Sequence, residues 1–405
     1  MLEVNLSGLL GQPEVSAFLR GIVGRGRYGN AYLFHGPPGV GKCTAALAFA
    51  RAALCERVSG GRPSEEGASL FGAAEPEPVA ATGDDACGTC RGCRMSLALG
   101  HPDLPFVFPL EGDEKEQEED LTETLEGLRK DPLYVFQYER AASIRIRQTR
   151  ELIAQLGYRP HNAARRVVVV RDCDRMREDQ FSALLKSIEE PGEATVWVLT
   201  TSRLSRVPVT IRSRCQRVRF AALSEDTVRR VLVEQAGVAE AEASLLAALA
   251  NGSLGRALVM RDATPPMAEQ RDRAITLLKS VLDGQPAALW QGVQAYTAFG
   301  KAKRDELRLM MEFHQLWLRD LLRLRYGGDE AGIVNRDRLP QLRALAPAIE
   351  ASEVRRRLMV IEEALRSIEG NVSADLTLFS TLARVAGSRM GEGRWPAHTT
   401  GRWDL

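Results

Sequence analysis

No apolar run in this chain approaches the roughly 18–20 residues that a bilayer-spanning helix needs, which excludes a candidate membrane span of that kind. Met1-Leu2-Glu3-Val4-Asn5 does not read as a signal peptide either. An excess of one charge is also missing. Lys and Arg number 54 against 53 Asp and Glu, a net charge of +1, so any nucleic-acid contact has to be local. Histidines number only five, and no motif places one as the partner of a cysteine, which argues against a Cys–His nucleophile. The seven cysteines are an odd number in a large chain, which points to a reducing compartment and an expected cytoplasmic location. What is present is ordinary for a soluble globular protein: 44% apolar and 26% charged residues, with 405 residues allowing two or three domains.

The most informative segment is Gly36-Pro37-Pro38-Gly39-Val40-Gly41-Lys42. It follows the apolar run Ala31–Phe34 and leads into the helix-forming Thr44–Ala50. That strand–loop–helix context is what a P-loop requires: backbone N–H groups cradle phosphates, Lys42 reaches the terminal ones, and the helix N-terminus adds a positive field. The next residue should carry a hydroxyl for Mg²⁺. Here it is Cys43, a soft ligand ill suited to a hard cation. Thr44 follows, but one helical residue turns it about 100° away. Gly36 to Thr44 are therefore expected to bind nucleotide, with hydrolysis in doubt.

Along the chain, Glu14–Val23 reads as a helix, Arg165–Val170 and Val196–Thr201 as buried parallel strands, and Gln180–Glu190 as a helix stopped by Pro191. Ile144–Leu156 has helical apolar spacing. Residues 56–86 and the acidic run Glu111–Asp120, which opens an insertion around 111–140, read as solvated loop insertions. The alternation predicts a doubly wound α/β domain to about residue 220. Beyond it, Ser224–Ala236, Ala239–Ala250 and a helix opened by Gly252-Ser253 precede a helical pattern from Met267 to about Ser388. Gly391–Leu405 has no period.

Three further constellations carry chemistry. Cys87, Cys90 and Cys93 are spaced by two residues, and Cys55 offers a fourth thiolate for a closed, structural tetrahedral Zn²⁺ site. After the strand ending at Val170, an ATPase needs an Asp for Mg²⁺ followed by an acid that activates water. The chain supplies Arg171-Asp172, and sliding the register to Asp172 puts Cys173 at the second position. Neither register gives the full pair. Ser213-Arg214-Cys215 is weak alone but gains weight from its place after the Thr200-Thr201 strand. A zinc-dependent nucleic-acid module is a poorer reading, because Arg91 and Arg94 have no aromatic between them.

Gly36–Lys42, Cys87–Cys93, His101-Pro102-Asp103, Ala183–Pro191 and Ser213-Arg214-Cys215 occur in the order found in bacterial clamp-loader AAA+ subunits, which the chain resembles over roughly residues 5–260. Asn371–Val385 resembles, less specifically, the last helix of that family's collar. The resemblance implies an AAA+ α/β domain over 1–220 with a cysteine module at 55–93, a helical lid over 221–265, an all-α collar domain over 266–390, and a tail over 391–405. The family's gamma/tau motors carry a Ser or Thr after the Lys and an Asp-Glu pair after the buried strand. This chain has neither, and Gly255 stands where the motor's γ-phosphate-sensing Arg would be, with Arg256 displaced by one. It looks like the family's delta-prime type. That implies a subunit whose Arg214 acts as a finger in trans, with ATP bound but not hydrolysed and Zn²⁺ structural. The implied partners are gamma/tau and delta subunits, the sliding clamp and primed DNA. An active motor is the alternative.

Overall fold

In a computed structural model of the chain, the residues described are 5–59, 83–111, 116–131, 133–136, 142–190, 194–263, 265–284, 304–327, 329–369 and 374–387, with single residues between 287 and 294. They divide into two compact units, Met1–Val231 with Asn251–Leu258, and Leu232–Ala250 with Val259–Leu405.

Five strands of the first unit, β1 (Ala31–His35), β2 (Phe106–Val107), β3 (Arg166–Val170), β4 (Thr195–Thr201) and β5 (Gln216–Arg219), form one parallel sheet in the order β2-β3-β4-β1-β5. Its helices are α1 (Pro13–Arg25), α2 (Lys42–Ala53), α3 (Glu56–Ser59), α4 (Arg91–Leu97), α5 (Glu116–Lys130), α6 (Ile146–Leu156), α7 (Glu178–Glu189) and α8 (Val209–Arg212). Successive strand side chains point to opposite faces, and the apolar strands use both. Phe34, Val167, Val169 and Val198 enter one core with Leu19 of α1 and Phe49 of α2. Leu33, Val168, Val170 and Trp197 enter the other, with Leu152 of α6, Leu184 of α7 and Ile211 of α8. Helices on both faces of a parallel sheet are the doubly wound arrangement expected of an AAA+ α/β domain.

The second unit is helical. Its elements include α10 (Glu240–Ala250), α12 (Met267–Leu282), α13 (Arg304–Arg325), α14 (Leu339–Leu345), α15 (Ala351–Glu369) and α16 (Ala374–Ala386), while α9 (Glu225–Glu234) and α11 (Leu254–Arg261) contain the points of division. Apolar residues at helical spacing, such as Phe313, Trp317 and Leu321 of α13, are buried. Asp320 is buried as well, and its carboxylate accepts from the Val334 and Asn335 N–H groups and the Asn335 amide, which replaces lost water. Arg271 forms a two-pronged pair with Asp337. No described helix is long and apolar enough to cross a membrane.

Two expectations are corrected. The acidic run Glu111–Asp120 is not simply a loop, because α5 begins at Glu116. Leu121, Leu125 and Leu128 recur at helical spacing, Glu126 pairs with Lys130 one turn on, and Asp120 accepts the Glu111 N–H. Strands β2 and β5 were not expected. The first is two residues long, and the second has a single buried side chain, Val218. Of the insertion at 56–86, residues 60–82 lie outside the described residues, as do 112–115, 132 and 137–141 of the second insertion, Pro191, residues 371–373 and the tail from 391.

Candidate functional site

The P-loop links β1 to α2, and its glycines are required by what they touch. Gly36 has φ 151°, and a Cβ there would lie 2.3 Å from the Phe220 carbonyl oxygen. Gly39 has φ 68°, and its Cβ would lie 2.2 Å from Ser253 Oγ. The Gly255 N–H donates to the Gly39 carbonyl at 3.1 Å, so Gly255 packs on the loop backbone. Arg256 N–H donates to Ser253 Oγ.

Lys42 is almost wholly buried, and its ammonium donates to the carbonyls of Gly36 and Pro37 and to Ser202 Oγ. Burial lowers its pKa to about 8. A cavity of about 290 Å³ opens on Lys42, Cys43, Thr44, Arg171 and Asp172. Its remaining wall includes Tyr134, Val135 and Phe136, from the segment after α5. The Arg171 guanidinium lies 3.6 Å over the Phe136 ring and 3.1 Å from the Asp172 carboxylate. Asp172 itself adopts a left-handed φ of 47°, with its N–H donated to Thr200 Oγ1. Asp174 accepts the Thr201 hydroxyl at 2.7 Å.

These residues do not fit a magnesium ion. Burial pushes the Cys43 thiol up to about 11, so the side chain at the hydroxyl position is a neutral S–H. Asp172 is already paired with Arg171, the cation that stands where a carboxylate is needed. Thr44 borders the same cavity but is exposed.

The four cysteines converge as the sequence predicts. Their sulfurs lie within 4.8 Å of one another, with Cys87 to Cys93 and Cys55 to Cys90 each at 3.9 Å. A tetrahedral ion with metal–sulfur bonds of about 2.3 Å separates its ligands by about 3.8 Å, so the arrangement fits a soft tetrahedral metal. Backbone N–H groups of Cys87, Cys90 and Cys93 donate to the sulfurs of Cys55, Cys87 and Cys90, which stabilises thiolate character. Hydrogen bonding from Cys93 leads the causes that lower the Cys55 pKa, to about 4. Reciprocally, the Cys93 thiol is raised. Gly92 was not singled out in the sequence, yet a Cβ there would lie 2.5 Å from the Leu54 carbonyl, and its N–H donates to Glu56. The missing side chain lets α4 close on the residue before Cys55. A glycine between two ligands of a Cys-x-x-Cys pair was the available signal.

Arg214 follows α8 and precedes β5. It is exposed, donates to the Thr210 carbonyl at 3.0 Å, and pairs with Glu189 at the end of α7. β5 runs parallel to β1 with Gln216 opposite Tyr32, whereas the P-loop follows His35. Arg214 therefore lies toward the end of the sheet where β1 begins, and the chain's own P-loop at the end where β1 stops. His101-Pro102-Asp103 plays a structural part. The buried Asp103 carboxylate accepts N–H groups of His161, Asn162 and Ala163, tying that turn to the start of β2.

A family model described as DNA polymerase III, delta subunit, matches residues 77–224. The chain is similar to DNA polymerase III subunit delta′ of Bacillus subtilis, 25% identical over 362 residues, covering 89% of this chain and 92% of the relative. To subunit delta′ of Pseudomonas aeruginosa it is 29% identical over 330 residues, covering 79% and 80%. It also matches subunit tau of Bacillus subtilis, 24% identical over 302 residues, covering 73% of this chain and 42% of that one. The sheet and its P-loop define an AAA+ protein with a helical C-terminal part. Within that class its similarity runs to clamp-loader subunits of the delta-prime kind and, over less of the relative's length, to tau.

Proposed function

We propose that this chain is the stator of a clamp-loader assembly, contributing Arg214 to a neighbouring subunit's ATP and hydrolysing none of its own. It assembles with gamma/tau and delta subunits in the cytoplasm and helps them open a sliding clamp and place it on primed DNA. The observation that carries this reading is the position of Arg214: exposed, and at the far end of the sheet from its own P-loop. A planar guanidinium that stays charged suits the oxygens of a γ-phosphate in transfer. The chain's own cavity lacks a donor set for magnesium, so it holds ATP without turnover. Cys55, Cys87, Cys90 and Cys93 hold one structural zinc that pins the chain after α2.

The test is stimulated ATP hydrolysis by the reconstituted complex with clamp and primed DNA. Arg214→Ala is expected to leave assembly intact and to lower turnover about tenfold. Fingers elsewhere are worth about 10³–10⁵, but several sites share the signal here. Arg214→Lys restores little, since a point charge lacks the fork. Unchanged hydrolysis and clamp loading with Arg214→Ala refute the role. The intact Gly36–Lys42 loop favours a second reading, an active motor. Turnover by the isolated chain that disappears in Lys42→Ala would establish it.

A further inference from the structure

The segment after α5 brings an aromatic wall to a phosphate-binding loop, and its Phe136 meets the residue that displaces magnesium. We propose that this cavity takes a nucleoside polyphosphate without a divalent cation, the Arg171 guanidinium, braced on Phe136, supplying the counter-charge. This rests on the reading that the chain binds nucleotide.

Arg171 directly follows β3, and β4 lies between that strand and β1, so its side chain lines the cavity from the position where the class needs a metal-binding carboxylate. It lines the same space as Lys42 and is itself only 14% exposed. Two cations thus flank the place where phosphates sit over the loop. A guanidinium keeps its charge when buried and offers five N–H donors in a fork that matches phosphate oxygens. Phe136 stacks on one face of the guanidinium and Asp172 engages its Nη1 edge, which fixes the orientation of the fork before any ligand arrives. The carboxylate that a metal would use serves instead to hold the cation that replaces the metal. Cys43, a half-buried neutral thiol on the cavity wall, is a poor ligand for a hard cation. Phe136 is a positioning residue here and comes from the second of the two insertions. On this reading the insertion serves the nucleotide site.

The experiment is equilibrium titration of the full chain with a fluorescent ATP analogue, in excess EDTA and in excess Mg²⁺. Wild-type affinity is expected to agree between the two conditions within about threefold. In EDTA, Arg171→Gln weakens binding about tenfold or more, as loss of a charge-assisted contact does. Phe136→Leu weakens it about threefold through the lost cation–π face. Arg171→Asp makes binding depend on Mg²⁺. Zinc content and thermal melting of each variant check that it is folded. Tenfold tighter wild-type binding in Mg²⁺ than in EDTA overturns the proposal, and so does Arg171→Gln binding like wild type in EDTA. In either case, loss of binding in Lys42→Ala leaves the nucleotide-binding reading standing. Absence of binding by the folded wild-type chain in both conditions overturns both.

Discussion

Cys43 and Cys55 stand at the two ends of the same helix, α2, and have opposite chemistry. Cys43 lies in its first turn, where the helix N-terminus ordinarily favours a thiolate. Burial overrides that preference and holds a neutral thiol. Cys55 lies just past the last turn, among sulfurs and N–H donors that lower its pKa. One is a half-buried neutral thiol on the wall of the P-loop cavity, and the other sits among sulfurs placed to hold a soft metal. The chemistry of a cysteine here is set by the donors around it more than by its place on the helix.

The largest expected contrast between the two is in metal content. Cys55→Ser should weaken zinc retention about a hundredfold or more, read as zinc per chain after dialysis against a mild chelator, while Cys43→Ser retains wild-type zinc. Equal retention in both would remove Cys55 from the ligand set. Next come opposite pH dependences. Nucleotide affinity depends on the Lys42 ammonium, whose pKa in the free protein is lowered to about 8. Affinity should therefore hold below that pH and fall about tenfold per unit above it, once each binding event must first restore the proton. Zinc behaves the other way, released as pH falls because protons compete for thiolates. Titrations across pH 6–10 (about two units either side of the Lys42 value) would show the nucleotide trend, and a flat nucleotide curve would contradict it.

A smaller effect is expected at Gly92, where Ala would push α4 off the Leu54 carbonyl. About 1–3 kcal/mol of stability should be lost in thermal melts, with zinc held less tightly. Wild-type melting and zinc retention would mean the close approach is easily relieved. The smallest expectation concerns Cys43→Ser. It restores the hydroxyl but should leave ATP turnover by the isolated chain at background, because Arg171 still holds Asp172. Robust turnover in that single variant would make Cys43 alone the cause of the lost activity.

Much of this was legible in the sequence where a residue type and a spacing leave one physical option. The run Ala31–Phe34 read as the strand before the P-loop, and Arg165–Val170 and Val196–Thr201 read as buried parallel strands; they became β1, β3 and β4, since a sheet covered on both faces needs continuous apolar side chains. The convergence of Cys87, Cys90 and Cys93 with Cys55 also followed, although 31 residues separate Cys55 from Cys87. The strand at Gln216–Arg219 could not be read because three of its four side chains face outward, and its place comes from pairing with β1. The wall of Tyr134, Val135 and Phe136 was equally hidden. Nothing local in an acidic insertion says that its end returns to a phosphate loop more than ninety residues earlier. Likewise Arg171 was legible as a misplaced charge, but its stacking partner was not.

Residues 83–86 anchor more than the cysteine module. Asp84 pairs with Arg20 on α1, and the Asp85 carboxylate takes the N–H groups of Leu6 and Ser7 as well as that of Ala86. On the other side, Glu56 of α3 accepts from Gly92. Residues 56 and 84–85 are each held by contacts to described elements. Asp84, Asp85 and Glu56 thus couple the cysteine module to the N-terminal helix on one side and to the end of the P-loop helix on the other, so a change at Asp85 would be felt at Leu6 and Ser7 as well as beside Cys87.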